Sequence, residues 1–209
     1  PVNPIPVDLP PLASFTMTNP VAVGDNALFD ASASRDIDGS IAKYEWDLNA
    51  DGVFEVRSAS IPKASRIYSF PGTVAVKLRV TDNRGRTTPA CKTLTVHAKP
   101  VALLTPDRAV PTAGDLVTYR ATGSFDPDLG SFIREYLWDL DGNGSFERST
   151  GTGQFVSMTF PTAGPKKIAL RVIDRDYAFT DQVLIIRVNK RPTAVVSATP
   201  NPAVVNQPV

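Results

Sequence analysis

The sequence predicts an all-β chain built as tandem antiparallel sandwiches. Three observations carry that expectation: apolar residues alternate over short runs, Pro and Gly punctuate the chain closely, and the whole pattern occurs twice. Val74, Val76, Leu78 and Val80 are separated by Ala75, Lys77, Arg79 and Thr81, a period of two that marks a half-buried strand. Ile168, Leu170 and Val172 repeat it. Nineteen prolines and thirteen glycines among 209 residues favour short strands and frequent turns. Of the 21 acidic residues, 17 are Asp, a residue of turns and ligand loops more than of helix faces. No window carries the i, i+3, i+4, i+7 spacing with caps that a helix needs.

The repeat organises the chain. The two tryptophans stand at 46 and 138 in matching surroundings: Tyr44-Glu45-Trp46-Asp47-Leu48 aligns with Tyr136-Leu137-Trp138-Asp139-Leu140. Phe29-Asp30-Ala31 and Ser34 through Asp38 face Tyr119-Arg120-Ala121 and Ser124 through Asp128, with a loop insertion near Leu129-Gly130. Arg191-Pro192-Thr193-Ala194 echoes Lys99-Pro100-Val101-Ala102, so a third copy is expected to begin there. The expected organisation is a linker over 1–9, sandwiches over 10–98 and 99–190, and the start of a further repeat over 191–209.

Within the first repeat, seven strands are expected at roughly 12–17, 26–31, 41–48, 53–57, 65–70, 73–82 and 87–97. The last two are joined by the turn Asn83-Arg84-Gly85-Arg86. Short strands at this spacing in a unit of about 90 residues point to an immunoglobulin-like sandwich; a single continuous barrel is disfavoured by the break at Lys99-Pro100. Trp46 and Trp138 fall on the third strand, inside an apolar alternation. That placement suits a ring filling the space between two sheets better than a sugar-stacking platform.

These residues resemble the PKD (polycystic kidney disease) domain family. The resemblance rests on Ser34-Arg35-Asp36-Ile37-Asp38-Gly39, Tyr44-Glu45-Trp46-Asp47, Tyr68-Ser69-Phe70-Pro71-Gly72 and Val74 through Gly85. In the second copy it rests on Ser124 through Asp128, Tyr136 through Asp139 and Phe160 through Gly164; Tyr177 stands there in place of the turn glycine Gly85. The resemblance implies tandem PKD-like sandwiches serving as extracellular spacer, adhesion or accessory modules at a cell surface or in secreted proteins.

After each tryptophan comes an acidic loop. Asp47, Asn49, Asp51 and Glu55, and likewise Asp139, Asp141, Asn143 and Glu147, follow the first half of a calcium-loop pattern. Oxygens at positions 1, 3 and 5 can converge, a glycine at 6 permits the turn, and Phe54 or Phe146 at position 8 anchors it. Ser58 and Thr150 stand where a bidentate Glu is usual, and the Glu at position 9 can substitute for it. Calcium is therefore the expected cofactor. The competing reading is a polar hairpin tip whose Asp and Asn hydrogen-bond their own backbone. The pairs Asp36/Asp38 and Asp126/Asp128 offer a second set of carboxylates, equally explained as Asx-turns.

Other chemistries are not expected. A formal charge of +1 gives no basic field for nucleic acid, and no apolar run of 18 residues is present to span a bilayer. Cys91 is the single cysteine, read as a small apolar strand residue. His97 is the single histidine, read as a surface residue with no nucleophile beside it. No phosphate loop, zinc spacing or Gly-x-Ser-x-Gly elbow occurs, so an enzyme is not expected. Two classes remain. One is a spacer or adhesion stalk whose partners are neighbouring repeats of the same chain. The other is an accessory module docking a polysaccharide or an extracellular protein of the collagen type for an attached hydrolase, through exposed aromatics such as Tyr119, Phe125, Phe132, Tyr177 and Phe179.

Overall fold

The computed structural model of this chain describes residues 7–196. Most of the expected linker (1–6) and most of the expected further repeat (197–209) lie outside the described residues. Among those described, all regular structure is strand. The first repeat holds β1 (Thr16–Met17), β2 (Val21–Ala22), β3 (Asn26–Asp30), β4 (Ile41–Asp47), β5 (Val56–Ser58), β6 (Lys63–Ile67), β7 (Gly72–Asp82) and β8 (Thr87–His97). The second holds β9 (Thr105–Pro106), β10 (Leu116–Arg120), β11 (Ile133–Asp139), β12 (Arg148–Ser149), β13 (Phe155–Thr159), β14 (Gly164–Asp174) and β15 (Phe179–Val188).

Each repeat is two sheets face to face. In the first, β1-β3-β6 opposes β2-β8-β7-β4-β5; in the second, β9-β10-β13 opposes β12-β11-β14-β15. All pairings between named strands are antiparallel except β2 with β8, where Val21 sits against Val96. Of the first expected strand, 12–17, only β1 and a bridge from Leu12 to Arg35 form, and β2 is a further short piece in the other sheet. Pro20 falls between β1 and β2, and a residue without a backbone N–H cannot continue a ladder. In the second repeat the same switch survives as a parallel bridge from Thr112 to Asn189.

The long hairpins β7–β8 and β14–β15 form where the period-two alternation is strongest. The second of these turns is made without glycine: Tyr177 takes φ +68°, against +93° for Gly85 at the equivalent position.

Trp46 and Trp138 are both fully buried, each in its own cluster. Around Trp46 pack Phe15, edge-on at 5.3 Å, and Phe29 at 5.8 Å, the arrangement that an aromatic quadrupole favours. Around Trp138 the corresponding cluster includes Tyr119, Tyr136, Ile168 and Leu170.

Candidate functional site

The register of the sheets places the acidic loops. Asp47 ends β4 opposite Lys77, and Asp139 ends β11 opposite Ala169. Both aspartates are completely buried. The strand ending there turns sharply, with Ala50 at φ +63° and Gly52 at +86° in the first loop and Gly142 and Gly144 at +77° and +92° in the second. That turn folds the remaining acidic side chains back over the aspartate.

In the first loop the carboxylates of Asp47, Asp51 and Glu55 present oxygens within 4.8 Å of one another; in the second, those of Asp139, Asp141 and Glu147 do the same. The residues that differ between the two sets reflect the exchange of Asp for Asn at positions 3 and 5. Asn49 and Asn143 turn their oxygens to backbone instead: Asp51 N–H donates to Asn49 Oδ1 at 3.2 Å, and Ser145 N–H to Asn143 Oδ1 at 2.6 Å.

The loops also carry the self-bonding of a polar hairpin tip. Gly52 N–H donates to Asp47 Oδ2 at 3.1 Å, while Gly142 and Gly144 N–H donate to the two oxygens of Asp139 at 2.7 and 2.9 Å. Val53 N–H donates to Asp51 Oδ1 at 2.7 Å, and that bond, followed by one from Asn49, holds the Asp51 carboxyl below its usual range. Glu55 and Glu147 accept from Leu48 and Leu140 N–H, each at 3.0 Å.

The two loops differ in one respect that bears on cation binding. Lys77 Nζ lies 3.4 Å from Asp47 Oδ2, yet Asp47 Oδ1 is buried with no partner. The second loop has Ala169 at that position, and among the described residues no ammonium pairs with Asp139. Phe54 and Phe146 lie under the guanidinium groups of Arg79 (4.2 Å) and Arg171 (4.5 Å), which fixes the loop on the outer sheet face. The position-12 hydroxyls are engaged elsewhere: Thr150 Oγ1 accepts from Trp138 Nε1 at 3.0 Å, and Ser58 Oγ from Ile61 N–H at 2.8 Å.

Other expected residues fall as follows. Asp36 and Asp126 form Asx-turns, accepting from Asp38 and Asp128 N–H at 3.3 and 2.9 Å. Cys91 lies on β8 but is exposed. Two expectations are corrected. Tyr119 is fully buried and cannot dock a ligand, because its strand face turns into the core. His97 is not a surface residue: it is 8% exposed, since the β14–β15 turn packs over it. Sequence reading missed this environment because its partner, Asp174, is remote in the chain.

Residues 8–98 match the family model of the PKD domain. The collagenase ColA of Clostridium perfringens is 36% identical over 99 residues, 47% of this chain and 8% of the collagenase. The chain thus spans less than a tenth of that relative's length. Among solved structures, the fibronectin(III)-like modules of Clostridium thermocellum CbhA align over 85% of this chain and 95% of theirs, at TM-score 0.47 and 16% identity. The PKD1 domain of Vibrio anguillarum Epp aligns over 44% of this chain and 99% of its own, at TM-score 0.36 and 26% identity.

Proposed function

Because residues 8–98 belong to the PKD domain family, and residues 99–190 repeat their pattern, we propose that the chain is a non-catalytic extracellular spacer module of a larger protein, stiffened by calcium. The observation that carries the calcium reading is the recurrence of three converging carboxylates at the same corner of both sandwiches. A hard cation seeks several such oxygens, and Asp47 Oδ1 is a buried carboxylate oxygen with none of its own partners. Leaving such a group unpaired is costly, and a cation would satisfy it. Bound there, calcium would tie the β4–β5 and β11–β12 corners to their sheets. The short linker Ala98-Lys99-Pro100, free of glycine, suits a spacer.

Millimolar calcium is expected to raise the melting temperature and EDTA to reverse the rise, with an affinity of about 10⁻⁴–10⁻³ M as in other extracellular modules. Identical melts in both conditions would retire the calcium reading while leaving the spacer reading intact.

The second reading, an accessory module for polysaccharide or a collagen-like protein, has Phe125, Phe132, Tyr177 and Phe179 exposed in its favour. Two of those rings are partly covered, by Arg134 over Tyr177 at 4.3 Å and Arg171 over Phe179 at 4.1 Å, which counts against this reading. Retention of the chain on insoluble polysaccharide or collagen would reverse the order.

A further inference from the structure

We propose that β15 is a docking strand for a second copy of this chain: two β15 edges pair antiparallel about Leu184, so that Asp181 of each copy faces Arg187 of the other. β15 is the last strand of its sheet. In an antiparallel pair, successive residues bond to alternate sides. Ala178 O accepts Asp174 N–H from the β14 side at 3.0 Å. Asn189 bonds the other way, donating to Pro111 O at 2.8 Å and accepting Ala113 N–H at 2.9 Å. Phe179, Asp181, Val183, Ile185 and Arg187 therefore aim their N–H and C=O groups at the open edge. Among the described residues, nothing bonds the main chain of these five on that side.

The first repeat closes the same edge. Pro89 on β8 stands at an edge-facing position and has no N–H to offer. Asn19 Oδ1 accepts Thr95 N–H at 2.9 Å, and Asn19 Nδ2 donates to Thr93 O at 3.4 Å. Beyond them β2 pairs with Val96 and His97. The outward side chains of β8 are Thr87, Pro89, Cys91, Thr93 and Thr95. At the spacing of the two tryptophans, Phe179, Val183 and Ile185 replace Thr87, Cys91 and Thr93, and they are 46%, 52% and 69% exposed. Sheets blunt a free edge with proline, a covering segment or a repelling charge. The two charges that β15 carries, Asp181 and Arg187, have opposite signs, so they do not repel a copy that arrives antiparallel.

Those charges select the partner and its register. With the two-fold axis at Leu184, Asp181 lies opposite Arg187 and Val183 opposite Ile185, each pair occurring twice. All four residues are edge-facing, so each pair can exchange two main-chain bonds. Opposite-charge and β-branched cross-strand pairs are those that stabilise such a seam. Among the described residues no carboxylate pairs with Arg187. Asp181 is held by Arg171 at 2.7 and 2.8 Å, and a carboxylate so held keeps lone pairs for a second guanidinium. Moving the axis to Val183 would set Asp181 against Ile185, and a parallel arrival would bring like charges together. The seam is one strand pair wide, which suits a weak, concentration-dependent dimer.

Sedimentation velocity of the full 209-residue chain, over a micromolar-to-millimolar series, tests this. The unaltered chain is expected to pass reversibly from monomer to dimer. Arg187→Glu and Asp181→Lys each set like charges opposite one another twice per dimer, and each alone is expected to weaken the dimer about a hundredfold. Mixed in equal amounts, the two variants are expected to regain it, since each supplies the charge that the other needs. Ile185→Lys, at a side chain outside the core, is expected to weaken the dimer and leave the melting temperature unchanged. A chain that stays monomeric throughout would overturn the proposal. So would a dimer that survives Arg187→Glu and Ile185→Lys, which would place the contact on another surface, or a mixture of two folded variants that does not recover.

Discussion

Tyr119 and Phe29 occupy the same site in the two sandwiches and differ by one oxygen. The Tyr119 hydroxyl is buried without a partner, and burial drives its pKa up. A buried hydroxyl with no bond is a cost of about 1–3 kcal/mol. Tyr119→Phe, which installs the residue of the first repeat, is therefore expected to stabilise the second sandwich by about 1 kcal/mol, read as a higher urea midpoint. A lower midpoint would mean that the hydroxyl makes a bond after all. A similar asymmetry separates the tryptophans: Trp138 Nε1 donates to Thr150, whereas Trp46 Nε1 has no partner because Ser58 spends its oxygen on backbone. The identity of each residue is plain in the sequence. Whether its polar atom is satisfied depends on rotamers and neighbours that the alternation pattern does not encode.

At the scale of strands, β4, β5 and β7 share a buried charge that the second repeat lacks. Glu45 is almost fully buried, with Arg79 at 2.7 Å, Lys43 at 2.6 Å and Arg57 at 3.7 Å; Leu137 stands at its position in the second repeat. The Arg79 hydrogen bond, foremost among these, lowers the Glu45 carboxyl to about 2. A depressed carboxylate stabilises fully above its unfolded value of 4.5 and loses that contribution as pH falls towards about 2. The first repeat is thus expected to lose stability across that window, and Glu45→Gln to remove part of the loss, Asp30 being lowered to about 2 as well. Equal acid sensitivity in both proteins, by urea midpoints at pH 5 and pH 2.5, would refute the assignment. The strand count itself was legible in outline, since the period-two runs matched β3, β4, β7 and β8 closely. The start of the repeat was not: of the strand expected at 12–17 only Thr16–Met17 forms, and β2, beyond Pro20 on the edge of β8, lies outside that range. The turn at Tyr177 shows the same limit: position in a hairpin imposed a left-handed backbone on a residue that avoids it.

At the scale of the whole molecule, two clusters, each closed around its own indole, give each repeat its own cohesion. Calorimetry is expected to resolve two transitions, with Trp46→Phe lowering one and Trp138→Phe the other; a single transition shifted by both would show the repeats to be one cooperative unit. By itself the sequence determined the all-β character, the repeat, the interior tryptophans and the composition of the acidic loops. Each of these is written in spacing along a strand or in side-chain chemistry within a dozen residues. Only the tertiary structure decided which oxygens are left without partners and which charges meet. Asp8 and Arg84 are 76 residues apart, and His97 meets Asp174 from the other side of a joint. Such encounters follow from sheet pairing and domain packing, which bring together residues that no local pattern connects.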